Sequence, residues 1–295
     1  VTAIESFQRS LNLPVVQLLD HLGADRFVAG LQHAGLNLQG EGMRQPNTSV
    51  VLGGVGTTLE SLVGAYTALA RDGQAGSVRL QPHAPQSSRW LMSPGAAWIS
   101  WRMLAQNPWR GLEQLGESPW WLGWKTGTSY GYRDAWALGV SPQWTIGVWA
   151  GRPDGSPSPG RYGRQAAAPL LFRVHALLHE TRQPLVQPNS VSRQSICWPL
   201  GTLSDHPDNR HGNCLQTHQA WLLNDTAPPT LAQTPDLMQP PLLQPVWLEG
   251  TSGLRVVLGC REQGQDLHMQ KIALWPAQAE PWLKPQWRHE QRLPA

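Results

Sequence analysis

In the first third of the chain, apolar residues recur at the three-to-four-residue spacing of amphipathic helices. The segment "SLNLP", Ser10 to Pro14, interrupts this spacing, because a proline disfavours the helical conformation of the residue before it. The clearest helical segment is "TTLESLVGAYTALARDG", in which Thr57 and Glu60 have the spacing of a capping box and Gly73 supplies a stop. The other helices are predicted to begin at Ala3 after the cap Thr2, at Val15, at Ala24, and at Pro94 after Ser93.

The spacing changes from helical to alternating between residues 120 and 151. "WWLGWKTG", "DAWALGV" and "WTIGVWAG" predict three successive strands joined by turns, and "RQAAAPLLFRVHALLHE" returns to a helix. A block of helices followed by consecutive strands and a helix is typical of an α/β (α+β) fold with an antiparallel sheet packed by helices.

The composition changes near residue 181, after which more than half of the 26 prolines occur. Segments so rich in proline cannot form long helices or central strands. We therefore predict two parts, 1–180 and 181–295, the second made of short edge strands, turns and extended chain that covers a surface.

Charged residues make up only 15% of the chain, and the net charge of +3 is spread without a basic run. The sequence therefore gives no support for nucleic-acid binding. It holds no uninterrupted apolar stretch of about eighteen residues that would predict a transmembrane helix. The chain begins at Val1 without the basic start of a signal peptide, and we expect it to be a piece of a longer protein.

A lysine followed by small hydroxylated residues ends the first predicted strand, in "KTGT", Lys125 to Thr128. The pattern would present a positive charge and hydroxyl donors to a carboxylate, and the glycine would let a ligand approach the backbone. A K-T-G sequence also occurs beside S-x-x-K and a third S-D-N-type element in serine acyl-transfer sites. The alternative is a solvated lysine in a turn. A phosphate loop is excluded, because Trp124 stands where that motif requires glycine.

Ser10-Leu11-Asn12 lies at the predicted helical break and could supply an S-x-N element. The Ser10 hydroxyl could relay a proton to a leaving group, and the Asn12 amide could hold both a lysine and a substrate amide. The alternative for both residues is simple capping of the following helix.

Taken together, "SLNLPVVQLL", "LGGVGTTLESLVGAYTALARDG" and "WKTGTSYGYRDAWALGVSPQWTIGVWAGRPDG" resemble the transpeptidase domain of class A penicillin-binding proteins. The resemblance covers about residues 3 to 180. "NSVSRQSICWPLG" and "WLLNDTAPPTL" resemble the segment that follows this domain in one type of the family. The resemblance implies the transpeptidase fold shared with β-lactamases, incomplete here, and a bifunctional peptidoglycan synthase as the parent protein.

For matching positions the resemblance implies roles in acyl transfer. Ser10 would act in proton transfer, Asn12 would position the substrate, and Lys125 would be an electrostatic anchor and part of the proton relay. The remaining roles belong to the strand after this lysine: Thr126 and Thr128 would bind the carboxylate of the donor peptide or of a penicillin, the Thr128 N–H would form half of the oxyanion hole, and Gly127 would give clearance.

The family's nucleophile motif, S-x-x-K, is missing upstream of Ser10. "SFQR", Ser6 to Arg9, has arginine in the lysine position, and an arginine does not deprotonate to act as a base. The chain alone is therefore expected to form no acyl-enzyme, and the usual glycosyltransferase domain would also lie in a missing upstream part.

The resemblance implies no cofactor. It implies stem peptides of peptidoglycan, lipid-linked precursors and β-lactams as partners, at the periplasmic face of a bacterial inner membrane, with any membrane anchor in the upstream part. Two other functions stay open: a non-catalytic module that binds cell-wall peptides or β-lactams, and a β-lactamase or carboxypeptidase relative that would hydrolyse its substrate.

The cysteines lie in the last third of the chain. Cys197 and Cys214, with His206 and His211, fit no tight zinc-finger spacing, and a disulfide between the two cysteines is favoured over a metal site. On the chain-entropy model such a bond would contribute roughly 3 kcal/mol. Cys260 would then be left over, with a partner beyond the chain end.

Overall fold

The computed structural model divides the chain into two compact units, Val1–Asn189 and Ser190–Ala295. The assignment of 1–180 to a transpeptidase domain and of 181–295 to a following segment stays a prediction. The structure describes residues 2–40, 43–107, 121–178, 183–198, 200–210, 213–228, 242–257, 259, 264–275, 281, 283–288 and 292–293.

The first unit opens with helix α1 (Ala3–Arg9) and helix α2 (Asn12–Leu22). Thr2 caps α1 as predicted, in a reciprocal capping box with Glu5. The break is shorter than "SLNLP", because Pro14 lies inside the first turn of α2. A proline is tolerated there, since the first backbone N–H groups of a helix have no intrahelical partner.

Helix α3 (Ala24–His33) and helix α4 (Leu59–Tyr66) follow. The predicted capping box of α4 is wrong by one residue: Thr58, not Thr57, caps it, and its Oγ1 accepts a hydrogen bond from the Ser61 N–H at 3.1 Å. The α-helix also stops earlier than predicted and continues as a short 3₁₀ turn, Thr67–Leu69.

A short hairpin joins strand β1 (Gln74–Gly76) to strand β2 (Ser88–Trp90), and helix α5 (Pro94–Ala105) follows, capped by Ser93 as predicted. The central sheet contains strands β3 (Gly123–Thr128), β4 (Asp134–Val140) and β5 (Thr145–Gly151), antiparallel and in that order. The sheet and the α+β class are confirmed. The predicted helix after the sheet is split into α6 (Gly163–Ala166) and α7 (Ala168–Leu177).

The two faces of this sheet carry different partners, which we call the α5 face and the α7 face. On the α7 face, Trp124 is buried against Phe172, with ring centroids 5.1 Å apart. On the α5 face, the fully buried Trp101 packs with Val140 and donates from Nε1 to its carbonyl oxygen at 3.0 Å. Each face buries large apolar groups, so the side-chain alternation of β3 is fixed on both sides.

The second unit contains two antiparallel strand pairs. Strand β6 (Val191–Trp198) pairs with β7 (Gln216–Leu223), and β8 (Leu243–Glu249) pairs with β9 (Leu267–Ala273). These strands are longer than the short edge strands predicted for a proline-rich tail, because all but one of the prolines after residue 181 lie outside them.

Cys197 and Cys214 form a disulfide across the β6–β7 pair, with Cα atoms 5.3 Å apart. Among the described residues no group of three or more potential metal ligands occurs. Cys260 and His211 lie outside the described residues.

Candidate active site

The two sequence motifs meet at one hydrogen bond. The Lys125 Nζ donates to the Ser10 Oγ at 2.5 Å, although 115 residues separate them in the chain, and it also donates to the Thr126 carbonyl oxygen at 2.8 Å. A contact of this length between an ammonium group and a hydroxyl is a strong, charge-assisted hydrogen bond. Ser10 and Lys125 therefore form one polar unit.

Ser10 occupies a strained corner between α1 and α2. It ends α1 in the left-handed conformation, with φ 53° and ψ 48°, which residues other than glycine seldom adopt. Apolar packing supports this corner, because Phe7 of α1 contacts the cluster that contains Trp101 and Val140 on the α5 face. Backbone strain of this kind persists where surrounding packing imposes it, and it is frequent at functional sites.

Asn12 begins α2, two residues after Ser10, and its side chain is exposed. No hydrogen bond joins the Asn12 side chain to another residue in the described part of the chain. The structure thus places Asn12 beside the Ser10–Lys125 pair without connecting it to either side chain.

The Lys125 ammonium group is half-buried, and burial lowers its pKa from the ordinary value of 10.5. The positive charge of Arg164, at the start of α6, lowers the pKa further. A lysine with a lowered pKa exchanges its proton more readily near neutral pH than an exposed one does.

Strand β3 lies at an edge of the described sheet, since β4 is its only strand neighbour among the described residues. The Ser129 N–H donates to the Asp134 carbonyl oxygen at 2.9 Å, so this pair is hydrogen-bonded. In an antiparallel ladder such pairs alternate, and the backbone groups of Thr128 and Thr126 therefore point away from β4. The Asn107 side chain, which donates to the Trp124 carbonyl oxygen at 3.2 Å, contacts the same outer edge.

Thr126 and Thr128 pair across the ladder with Ala137 and Ala135, which are buried on the α7 face. Both threonines therefore direct their side chains to the α7 face, opposite to Lys125. The Thr128 Oγ1 accepts a hydrogen bond from the Gly163 N–H at 3.0 Å. The structure does not join the threonine hydroxyls to the Ser10–Lys125 pair.

Gly127 is exposed on the α5 face, beyond Lys125. A Cβ atom there would lie 3.7 Å from the Trp136 Cβ, an ordinary contact, so the chain itself does not require glycine at this position. Any need for glycine would come from a ligand.

Sequence reasoning missed Gly163 and Arg164. A Cβ atom on Gly163 would overlap the Gly127 carbonyl oxygen and lie 2.7 Å from that of Trp136. Arg164 lies over the Trp124 ring, with its guanidinium carbon 5.4 Å from the ring centroid. Neither residue belongs to a recognisable motif. Contacts between residues distant in sequence bring them to β3, so no local signal in the sequence indicates their position.

The turn after "KTGT" is held by side-chain hydrogen bonds. The Ser129 Oγ donates to one oxygen of Asp134 at 2.8 Å, and the Trp149 Nε1 donates to the other at 2.9 Å. These bonds connect the end of β3 to both β4 and β5 and support the ladder at the site.

Two protein-family models match residues of the second unit. The family model described as penicillin-binding protein 1C linker domain matches residues 190–222, and the model of the second linker domain of that protein matches residues 237–291.

Similar proteins extend the match to the whole chain. Penicillin-binding protein 1C of Escherichia coli is 43% identical over 100% of this chain, which spans 38% of that protein. Penicillin-binding protein 1A of Clostridium botulinum is 27% identical over 77% of the chain and 29% of its own length. The crystal structure of penicillin-binding protein 1A from Haemophilus influenzae aligns with a TM-score of 0.60 and 16% identity, over 76% of this chain and 40% of that one. The predicted transpeptidase-like fold is thus confirmed.

Proposed function

We propose that this chain, whose predicted family resemblance is confirmed by its full-length similarity to penicillin-binding protein 1C, acts in peptidoglycan synthesis. In this proposal, residues 1–180 form the C-terminal part of a D,D-transpeptidase domain of a bifunctional synthase, and 181–295 form its linker segment. The observation that carries the proposal is the 2.5 Å contact between Lys125 and Ser10, which joins two motifs of this family.

The proposed chemistry transfers an acyl group. A serine of the parent domain would attack the carbonyl carbon of a D-Ala-D-Ala stem peptide, D-alanine would leave, and an amine would then take the acyl group. Ser10 and Lys125 would deliver a proton to the leaving nitrogen, a role supported by their short hydrogen bond and by the lowered pKa of Lys125. Asn12 would orient the substrate amide.

The outer edge of β3 would hold the reacting carbonyl group. The outward direction of the Thr128 amide supports its use as half of an oxyanion hole, where an N–H stabilises the charge that develops on oxygen. The Thr126 and Thr128 hydroxyls would bind the carboxylate of the donor or of a β-lactam, and Gly127 would leave room for the ligand backbone.

The partners in this proposal are stem peptides, lipid-linked precursors and β-lactams, at the periplasmic face of the bacterial inner membrane. In the described part of the chain no helix is long and apolar enough to span a membrane. We propose that any anchor belongs to an upstream part of the protein. The scattered basic residues favour no nucleic-acid partner.

A second function, a non-catalytic module that binds cell-wall peptides or β-lactams, is favoured by one observation. The chain contains no S-x-x-K sequence, so it lacks the expected nucleophile and its lysine. We propose that the chain alone is inactive in acyl transfer.

Intact-protein mass spectrometry after incubation with benzylpenicillin tests these functions. The chain is compared with a version extended upstream to include an S-x-x-K segment. A mass gain of one penicillin in the longer version alone supports the transpeptidase proposal. A gain in the short chain would place the nucleophile within residues 1–295 and contradict the role given to Ser10. No gain in either version would favour the binding module.

A further inference from the structure

The pleat of β3 separates the polar groups of the candidate site into two sets. Lys125 lies on the α5 face with Ser10, while Thr126 and Thr128 lie on the α7 face. A carboxylate held by the two threonine hydroxyls would thus be bound on the opposite face from the lysine that the family motif pairs with them. Two hydroxyl donors alone hold an anion weakly, and a charged donor roughly doubles the strength of such a hydrogen bond.

Arg164 supplies a positive charge on the face of the threonines. Its guanidinium group lies over the ring of Trp124, which is on the α7 face with Thr126 and Thr128. The residue before it, Gly163, donates its N–H to the Thr128 Oγ1 at 3.0 Å. The start of α6 is therefore fixed against the threonine end of β3, and the stacking on Trp124 restrains the arginine side chain.

The close approach of α6 to β3 depends on glycine at position 163, because a Cβ atom there would collide with the Gly127 and Trp136 carbonyl oxygens. A larger residue there would move Arg164 away from the strand. An arginine at this place presents a planar fork of N–H donors that matches a carboxylate, which a lysine does not.

We propose that Arg164 is the charged residue that binds the ligand carboxylate together with Thr126 and Thr128, and that this leaves Lys125 to proton transfer with Ser10. This inference rests on the proposed function, because it specifies a group of the same substrate class. It adds a binding residue on α6 that lies outside the K-T-G motif.

The electrostatic link between the two cations supports this division of roles. Arg164 is close enough to Lys125 to lower the pKa of its ammonium group, after the larger effect of burial. A carboxylate bound at Arg164 would neutralise that repulsion, so ligand binding and the protonation of Lys125 would be coupled across the strand.

The test measures reversible binding to the chain itself, which lacks S-x-x-K. Labelling with ¹⁵N-lysine gives backbone amide signals for Lys125, Lys271 and Lys284, and the Lys125 signal reports ligand at β3. Benzylpenicillin is titrated against its methyl ester, which has the same rings but no carboxylate charge. The variants are Arg164→Gln and Arg164→Lys, with Arg173→Gln, an exposed residue of α7, as the matched control.

We expect Arg164→Gln to raise the Kd of benzylpenicillin about tenfold, the effect of one hydrogen bond to a charged group, and to leave that of the ester unchanged. Arg164→Lys should recover part of the affinity, and Arg173→Gln should change neither Kd. Thr126→Val, which removes the other proposed carboxylate-binding hydroxyl and leaves the hydrogen bond between Gly163 and Thr128 in place, should also weaken only the carboxylate ligand.

Two results would overturn the inference. If Arg164→Gln leaves both Kd values unchanged, or weakens both ligands equally, the arginine has no role in carboxylate binding. If the unaltered chain binds neither ligand, the proposed function itself is contradicted, and the inference falls with it.

Discussion

Gly163 provides a quantitative test of how the site is built, because its substitution should destabilise the fold through two identified contacts. In Gly163→Ala the new methyl group would overlap the Gly127 carbonyl oxygen and lie 2.7 Å from the Trp136 carbonyl oxygen. Both obstacles are backbone atoms of paired strands, which cannot rotate away as a side chain can. Overpacking of this kind costs about 1–3 kcal/mol.

The same substitution should weaken the hydrogen bond between the Gly163 N–H and the Thr128 Oγ1, since α6 must move away from β3. A typical hydrogen bond contributes about 1 kcal/mol net. The two effects together predict a loss of about 2–4 kcal/mol in the free energy of unfolding of the first unit.

Gly30→Ala is the matched control, in the same unit and with the same added methyl group. Gly30 lies inside α3, and a Cβ atom there would meet nothing within 4 Å. Alanine is favoured over glycine in a helix interior, so this variant should gain about 0.5–1 kcal/mol.

Urea unfolding followed by far-ultraviolet circular dichroism measures both variants against the unaltered chain. The two substitutions should change the free energy of unfolding in opposite directions. If the free energy of unfolding of Gly163→Ala lies within about 0.5 kcal/mol of that of the unaltered chain, α6 can shift at little cost. The packing argument for Gly163 and Arg164 would then be refuted.

Three further predictions concern protonation, covalent linkage and capping. Burial, and to a smaller extent Arg164, lower the pKa of Lys125 in the folded chain. Between that lowered pKa and the ordinary value of 10.5 the unfolded chain therefore binds more protons than the folded one, so the free energy of unfolding should rise with pH across this window. Lys125→Met should abolish this rise, as the difference between the two unfolding-versus-pH curves would show. Replacing both Cys197 and Cys214 by alanine removes a link between residues 17 apart in sequence. On the chain-entropy model this should lower the free energy of unfolding of the second unit by roughly 3 kcal/mol. An unchanged denaturant midpoint would contradict this expectation. Thr58→Ala should lower the free energy of unfolding of the first unit by about 1 kcal/mol, because it removes the cap of α4. An equal loss in the control variant Thr57→Ala would contradict the assignment of the cap to Thr58.

The strands of the site could be predicted from the sequence because alternation is a local property. "WWLGWKTG", "DAWALGV" and "WTIGVWAG" each carry the pattern in their own residues, and each became a strand with the predicted neighbours. Helix ends were less predictable: Thr57 and Thr58 are adjacent hydroxyl residues, and only the fold decides which one caps α4. Pro14 predicts a break in the helical pattern, although the first turn of a helix accepts a proline.

The parts of the site that depend on distant contacts could not be predicted from local pattern. The sequence places Ser10 at a helical break, but nothing in its neighbourhood indicates that it reaches Lys125 across 115 residues. Gly163 precedes the helix predicted after the sheet and Arg164 begins it, but the pattern of that helix predicts only packing. Their relation to β3 arises from the way α6 and α7 cover the sheet, which residue spacing does not record.

The chemistry of β3 depends on its register more than on its composition. A shift of the β3–β4 pairing by one residue would exchange the two faces, placing Lys125 against α7 and the threonines against Ser10. The buried side chains of Trp124 and Val140 oppose such a shift from either face. The hydrogen bonds of Ser129 and Trp149 to Asp134 oppose it at the turn, because both require the present pairing of the strand ends. One strand can therefore present two separate polar sites because Trp124, Val140 and the hydrogen-bonded turn fix its register.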